Sequence, residues 1–297
     1  MLHAWSSARY VIPLPAEHRF PISKYALLRD AVVERGLVAQ LHEPARADTR
    51  DLLRVHTPGY VARFTEGALS AAEQRRLGFP WSQYLVERAY RAVGGTCEAA
   101  EAALSLGVTI NLAGGTHHAF ADHGEGFCVF NDVAVAIQRL LASRAIRKAA
   151  IIDLDVHQGN GTHAIFADDD RVFTFSMHAA RNYPFHKVPG SLDIGLDDGT
   201  TDGVYLERLG DVLPRVLEAA EPDLVVYLAG ADPLAEDRLG RLSLTVAGLA
   251  RRDALVLQAC REVGIPIAIT VAGGYGRDIA TTVQGHIGTV EVAQAFC

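Results

Sequence analysis

The chain has 297 residues, 49% of them hydrophobic and 21% charged, and 28 Lys+Arg against 35 Asp+Glu give a formal net charge of -7. This is an ordinary soluble globular composition, and a chain of this size buries roughly 75% of its unfolded surface, so it needs no disulfide framework to hold a core. The acidic balance argues against broad nucleic-acid binding and is compatible with a cationic small substrate or side chain, although net charge says nothing of local patches.

The opening stretch, MLHAWSSARYVIPLP, has neither the basic start nor the continuous apolar core of a secretory signal, and no run approaches 18 apolar residues. A cytoplasmic protein without a membrane span is expected. Pro13, Pro15 and Pro21 predict irregular chain after at most a short strand. Ser23 is placed to cap a helix through Tyr25, Leu28 and Val32 that stops at Gly36. Leu52–His56 begins a helical or turn-rich region, and Pro58 suits the first turn of a helix ending near Gly67. After the Gly78–Trp81 loop, Tyr84 to Leu106 carries apolar residues at helical spacing, with Gly94-Gly95 either breaking that helix or packing closely.

From residue 108 the pattern alternates. Strands are expected at 108–112, 149–154, 172–177, 224–228 and 266–271, with helices at 132–141, 206–217, 245–262 (capped by Thr245) and after Arg277. No repeat or long linker divides the chain. The expectation is a single α/β domain over 1–297, with a central, mostly parallel sheet flanked by helices. The four cysteines, Cys97, Cys128, Cys260 and Cys297, form no C-x-x-C and read as core residues or free thiols.

Polar residues collect where strands end. The strand at 108–112 runs into Gly114-Gly115-Thr116-His117-His118, and the one at 149–154 into Asp153, Asp155, His157 and Asn160. The strand at 224–228 runs into Gly230-Ala231-Asp232-Pro233, and the last into Gly273-Gly274-Tyr275-Gly276. Packing alone does not call for these residues, and parallel sheets place ligands beyond the carboxyl ends of their strands. If strand conformation persists, Asp153, Asp155 and His157 share one face. Asp155, His157 and Asp232 suit zinc with a fourth position open to water, and the ligand types also suit Fe(II), Co(II) or Mn(II). His117 and His118 are adjacent and diverge, which fits bases or proton donors better than a pair of ligands. Asp153 and Asn160 can fix the tautomers of those imidazoles. Tyr275 is either a core aromatic or a site residue; Phe127 and Tyr183 are either core aromatics or walls of an apolar channel.

The words HRFPISKYALL (18–28), VHTPGYV (55–61), GGTHHA (114–119), GFCVFNDVAVA (126–136), DLDVHQGNGT (153–162), AGADPLAEDRLG (229–240) and GGYGR (273–277) extend over nearly the whole chain. Together they resemble the zinc-dependent histone deacetylase superfamily, which has the arginase-like α/β fold and includes acetylpolyamine amidohydrolases and acetoin-utilisation proteins. The resemblance implies zinc on Asp155, His157 and Asp232, catalytic histidines at His117 and His118 with partners Asp153 and Asn160, and an oxyanion-stabilising Tyr275. It also implies a channel wall at Phe127 beside Gly126. A structural potassium ion is implied near Asp153 and the backbone around Asp155, His157 and Ser176. The stretch 178–186 departs from the commonest family pattern and leaves Tyr183 or Phe185 as the second aromatic wall. Asn160, where the class I branch has Asp, Thr116 in place of a common tryptophan, and Asn182-Tyr183-Pro184 together look most like the class IV branch.

The implied reaction is hydrolysis of N-acyl (acetyl or longer) lysine amides in a protein or peptide. Two alternatives stand beside it. One is an amidohydrolase of acetylpolyamines or other small acylated amines, which calls for a restricted, acidic entrance; the other is a catalytically silent acyl-lysine binding module.

Overall fold

The short apolar runs that alternate with helices pair side by side. In the computed structural model, which describes residues 1–15 and 17–297, the strands are β1 (His3–Trp5), β2 (Gln40–His42), β3 (Val108–Asn111), β4 (Ala149–Asp153), β5 (Val172–Ala179), β6 (Leu192–Leu196), β7 (Leu224–Leu228) and β8 (Ile267–Thr270). They form one eight-stranded sheet in the order β2-β1-β3-β8-β7-β4-β5-β6. Every pairing is parallel, so the sheet is wholly rather than mostly parallel. Strands β4 and β7 are buried along their whole length, which is why they read as continuous apolar runs without alternation.

The helices are α1 (Lys24–Glu34), α2 (Thr49–Leu52), α3 (Pro58–Glu66), α4 (Ala71–Leu77), α5 (Gln83–Leu106), α6 (Asp132–Ala142), α7 (Asn160–Phe166), α8 (Asp202–Ala220), α9 (Val246–Glu262) and α10 (Ile279–Ala295). Helices α5 and α6 pack together with α2, α3 and α7, while α8, α9, α10 and α1 pack in series, and the two groups flank the sheet. Local signals act as the sequence suggests at several ends. Pro58 opens α3 and Gly67 closes it with φ +76°, and the Thr245 hydroxyl accepts the Gly248 N–H at 2.9 Å.

Other signals act differently. Ser23 has helical dihedrals and makes no side-chain cap. Gly94-Gly95 does not break α5; a Cβ on Gly94 would sit 1.9 Å from the Ala45 carbonyl oxygen, so the glycine is there for close packing. Strands β2 and β6 escape a search for apolar runs because they are short, partly polar edges. Cys97, Cys128 and Cys260 are buried free thiols, and Cys297 is exposed.

Candidate active site

The four loops that carry the unusual polar residues leave β3, β8, β7 and β4, which are neighbours in the middle of the sheet. Because all four run the same way, their carboxyl ends open on one edge, and the loops converge there.

Asp155, His157 and Asp232 are buried and each offers a ligand atom within 4.8 Å of the others. Strand alternation is not what aligns them: β4 ends at Asp153, and the chain then bends through 155–157. Backbone bonds set the bend instead. Asp155 N–H donates to Asp153 Oδ1 (3.1 Å), Val156 N–H to Asp232 Oδ1 (2.9 Å) and Gly273 N–H to Asp155 Oδ2 (2.9 Å). His157 Nδ1 then lies 3.0 Å from Asp155 Oδ1 and 3.2 Å from Asp232 Oδ2.

The cluster is short of positive charge. Asp232 is 0% exposed, and its Oδ2 accepts no hydrogen bond among the described residues, a costly state for a carboxylate away from water. Burial and the neighbouring Asp155 carboxylate push Asp232 up to about 7. For His157 burial works against the imidazolium, but Asp155 and Asp232 outweigh it and raise the ring to about 10. A Cβ on Gly273 would sit 2.0 Å from Asp232 Oδ2 and 2.5 Å from Asp155 Oδ2, so only glycine leaves that space beside the carboxylates. Two buried carboxylates and one imidazole nitrogen around an orphaned oxygen fit a divalent cation.

The tandem histidines sit beside this cluster. His117 Nδ1 lies 2.7 Å from Asp153 Oδ2, which only accepts, so Nδ1–H donates. Burial opposes the charge on this ring, but Asp153 and Asp155 carry it up to about 9. His118 Nδ1 lies 2.7 Å from Asn160 Oδ1. Asn160 Nδ2 donates to Glu125 Oε1 at 2.7 Å, and because a carboxylate cannot donate, this contact fixes which end of the amide faces His118. The Nδ1–H of His118 therefore donates to Asn160 and Nε2 keeps its lone pair. Burial, with His117 and His157 nearby, holds His118 well below its ordinary value. The histidine loop itself hangs on Asp132, the first residue of α6, which accepts from Thr116 N–H (2.7 Å) and Gly115 N–H (3.1 Å).

Tyr275 is anchored through its backbone, its N–H donating to Asp237 Oδ2 at 2.6 Å. Its hydroxyl makes no hydrogen bond among the described residues, and burial together with Asp155 and Asp232 raises the phenol well above its usual value. It stays a proton donor. A cavity of about 530 Å³ reaches from the surface to His117, His118, Asp155 and His157, past Gly126, Phe127, Tyr183 and Tyr275, and extends inward to Leu85, Ala89 and Val93 of α5. Phe127 adopts φ +66°, uncommon for a non-glycine residue. Tyr183 meets His118 edge-on with ring centroids 4.9 Å apart and donates its hydroxyl to Glu125 Oε1 at 2.7 Å. Phe185 is 81% exposed, at the outer edge of the cavity. Of the two aromatics, Tyr183 is the one that meets His118.

The residues singled out from sequence thus converge, with Phe185 outermost. Three carboxylates that hold the arrangement were missed: Asp132, Asp237 and Glu125. Asp132 opens a helix and reads as a dipole partner; Glu125 stands alone between glycines and reads as a solvated loop acid.

Residues 18–290 match the family model for the histone deacetylase domain. The chain belongs to the histone deacetylase family. An uncharacterised protein of Picosynechococcus sp. is 45% identical, with 93% of each chain covered. Histone deacetylase 2 of Arabidopsis thaliana is 34% identical over 91% of this chain and 73% of its own. The crystal structure of the HDA15 HD domain superposes with a TM-score of 0.85 over 99% of this chain and 89% of that one; at 22% identity this is a likeness of fold. Membership of the histone deacetylase family supports amide hydrolysis of the deacetylase type and implies a divalent metal, typically zinc, for which a buried acid and histidine cluster is present. No helix among the described residues of this deacetylase is long and apolar enough to cross a membrane.

Proposed function

We propose that this histone deacetylase-family protein hydrolyses the N-acyl amide of lysine side chains in a protein or peptide, releasing the free lysine amine and a carboxylate. The observation that carries this reading is the convergence at one cavity end of a histidine with a free Nε2, a buried metal-type cluster and an unpartnered tyrosine hydroxyl.

In this reading Asp155, His157 and Asp232 hold the divalent ion, zinc or a close relative such as Fe(II). When bound, that ion polarises the amide carbonyl and acidifies water. His118 Nε2 takes the proton of the attacking water as the C–O bond forms and returns it to the lysine nitrogen as the C–N bond breaks. Asn160 holds the other side of this ring, and Glu125 holds Asn160. His117, kept as an imidazolium by Asp153, adds positive charge beside the reacting carbonyl. The Tyr275 hydroxyl donates to the oxygen that becomes negative. Phe127 and Tyr183, with Gly126 between Phe127 and His118, flank the lysine stem, while Phe185 is an outer contact. A structural potassium ion beside Asp153 fits the same scheme, supported by the register that sets Asp153 opposite Ser176.

The reach of the cavity toward Leu85, Ala89 and Val93, which the buried Arg88 also lines, supports acyl groups longer than acetyl. Asn160 and Thr116 support a place in the class IV branch. A silent binding module is the weaker reading, because the tautomer that Glu125 and Asn160 impose on His118 is the one a base needs. An assay of zinc-loaded protein on peptides with acetyl and longer acyl-lysine tests the proposal: release of free amine is expected, and binding without release would favour the module.

A further inference from the structure

The mouth of the cavity has the opposite charge to the protein as a whole. Arg19, Arg76, Arg181, Arg238 and Arg241 line it and all five are exposed, in a chain with a formal net charge of -7. They come from four segments, Arg238 and Arg241 sharing one loop, and four of the five are tied to cavity walls. Arg19 precedes Phe20, whose ring centroid lies 5.5 Å from that of Phe127 and 6.3 Å from that of Tyr275. The Arg76 carbonyl accepts the Gly126 N–H at 3.2 Å. Arg181 precedes Asn182, whose amide donates to the Leu239 carbonyl. Arg238 Nε donates to the Tyr275 carbonyl at 3.1 Å.

Arg241 is neutralised by Asp198 at 3.0 Å. The other four form no ion pair among the described residues, unlike Arg9 with Glu43 or Arg147 with Asp223 elsewhere on the surface. The only acidic side chain among the described residues that line the cavity is Asp155, buried at its base. A substrate thus approaches past four guanidinium groups without an ion-pair partner among the described residues; Asp198 sits on Arg241, and the exposed Asp122 carboxylate lies near Arg76. At physiological salt, charges act over about 8 Å, so groups a residue or two from the acylated lysine are within range. An acylated polyamine keeps at least one ammonium and meets like charge here; a carboxylate or phosphate meets planar, bidentate donors.

We propose that this arginine rim selects acyl-lysines flanked by anionic groups, carboxylate or phosphate, and disfavours acylated polyamines. The proposal rests on the deacylase reading and names its substrate class. The rim and the chain as a whole differ in sign of charge, so the net charge alone does not describe the mouth.

The test is a panel of otherwise identical acetyl-lysine peptides flanked by Glu, phosphoserine, Gln or Lys, together with N-acetylspermidine, on the zinc-loaded enzyme at low and at physiological salt. The expected result is a kcat/KM at least about tenfold higher for the anionic peptides than for the Lys-flanked one, mostly through KM and shrinking with salt, as for steered association. N-acetylspermidine should be the poorest substrate. A gain with phosphoserine, with Glu or with both supports the charge selection, and their ratio tells phosphate from carboxylate. In the double variant Arg76→Glu/Arg181→Glu the order should collapse or reverse. Because each comparison is a ratio within one preparation, a general loss of activity cancels. Equal rates for all flanks, or a preference for Lys-flanked peptide or N-acetylspermidine, would overturn the charge selection and leave amide hydrolysis standing. No hydrolysis of any acyl-lysine peptide would overturn the deacylase reading and this proposal together.

Discussion

His117 and His118 are adjacent in sequence, their rings lie 4.1 Å apart, and each presents Nδ1 at 2.7 Å to an oxygen of its partner. The partner's charge separates them. Asp153 is a carboxylate, and with Asp155 it overcomes burial to lift His117 to about 9. Asn160 is neutral, so burial and two neighbouring imidazoles prevail and His118 stays well below its ordinary value. One hydrogen-bond geometry therefore yields a fixed cation and a free base side by side. The difference is enforced at a distance, since Glu125 decides which end of the Asn160 amide faces His118.

Deleting each ring in turn should have the largest effects. His118→Ala should cost roughly 10³-fold or more in kcat at every practical pH with bound metal unchanged, since positioned acid–base groups contribute about 10²–10⁴-fold. His117→Ala should cost less; equal losses, measured as kcat beside metal content, would erase the distinction. Tyr275→Phe removes the hydroxyl proposed to donate to the oxyanion and should lower kcat by about 10²-fold, the size of a lost oxyanion donor, without loss of metal. Near-normal turnover in that variant would remove Tyr275 from the chemistry.

Two smaller effects sharpen the contrast. Glu125→Gln lets the side chain at 125 donate as well as accept, so Asn160 can turn its amide toward His118. A loss of about tenfold in kcat with little change in KM is expected, on the order of one hydrogen bond. An unchanged kcat would show that Glu125 does not orient Asn160. Adding Asn160→Asp to Glu125→Gln gives His118 the same kind of partner as His117. A carboxylate raises the imidazole pKa, and a base protonated at higher pH loses activity from a higher pH downward. The acidic limb of kcat/KM should therefore move up by about one pH unit or more. An unmoved limb would mean that the partner's charge does not set the basicity of His118.

Much of this was legible in sequence because the informative residues were out of place. Strands β4 and β7 show themselves as apolar runs buried on both faces, and a carboxylate or imidazole directly beyond such a run has no packing reason to be there. Helix α4 was passed over, although the Ser70–Glu73 capping box that opens it is a local signal whose side-chain and backbone bonds are both made. Helix α7 was hidden because its first turn begins at Asn160, inside the polar run that reads as site alone. Glu125 gains meaning only through Asn160, 35 residues away, and the rim arginines only through the folding of segments near 19, 76, 181 and 238 around one opening. Short-range pattern carries no trace of such pairings, and a net charge averages them away.

In the proposed mechanism acyl-lysine hydrolysis depends on a divalent ion held by Asp155, His157 and Asp232. The most direct measurement of that dependence is the metal content of zinc-loaded, dialysed wild type and Asp232→Ala, set beside release of free amine from an acyl-lysine peptide. The wild type should keep about one equivalent of zinc per chain and turn over, as a single three-ligand site requires, and the variant should lose both. Full zinc in Asp232→Ala, or a zinc-replete wild type that releases no amine from acetyl or longer acyl-lysine, would contradict the account.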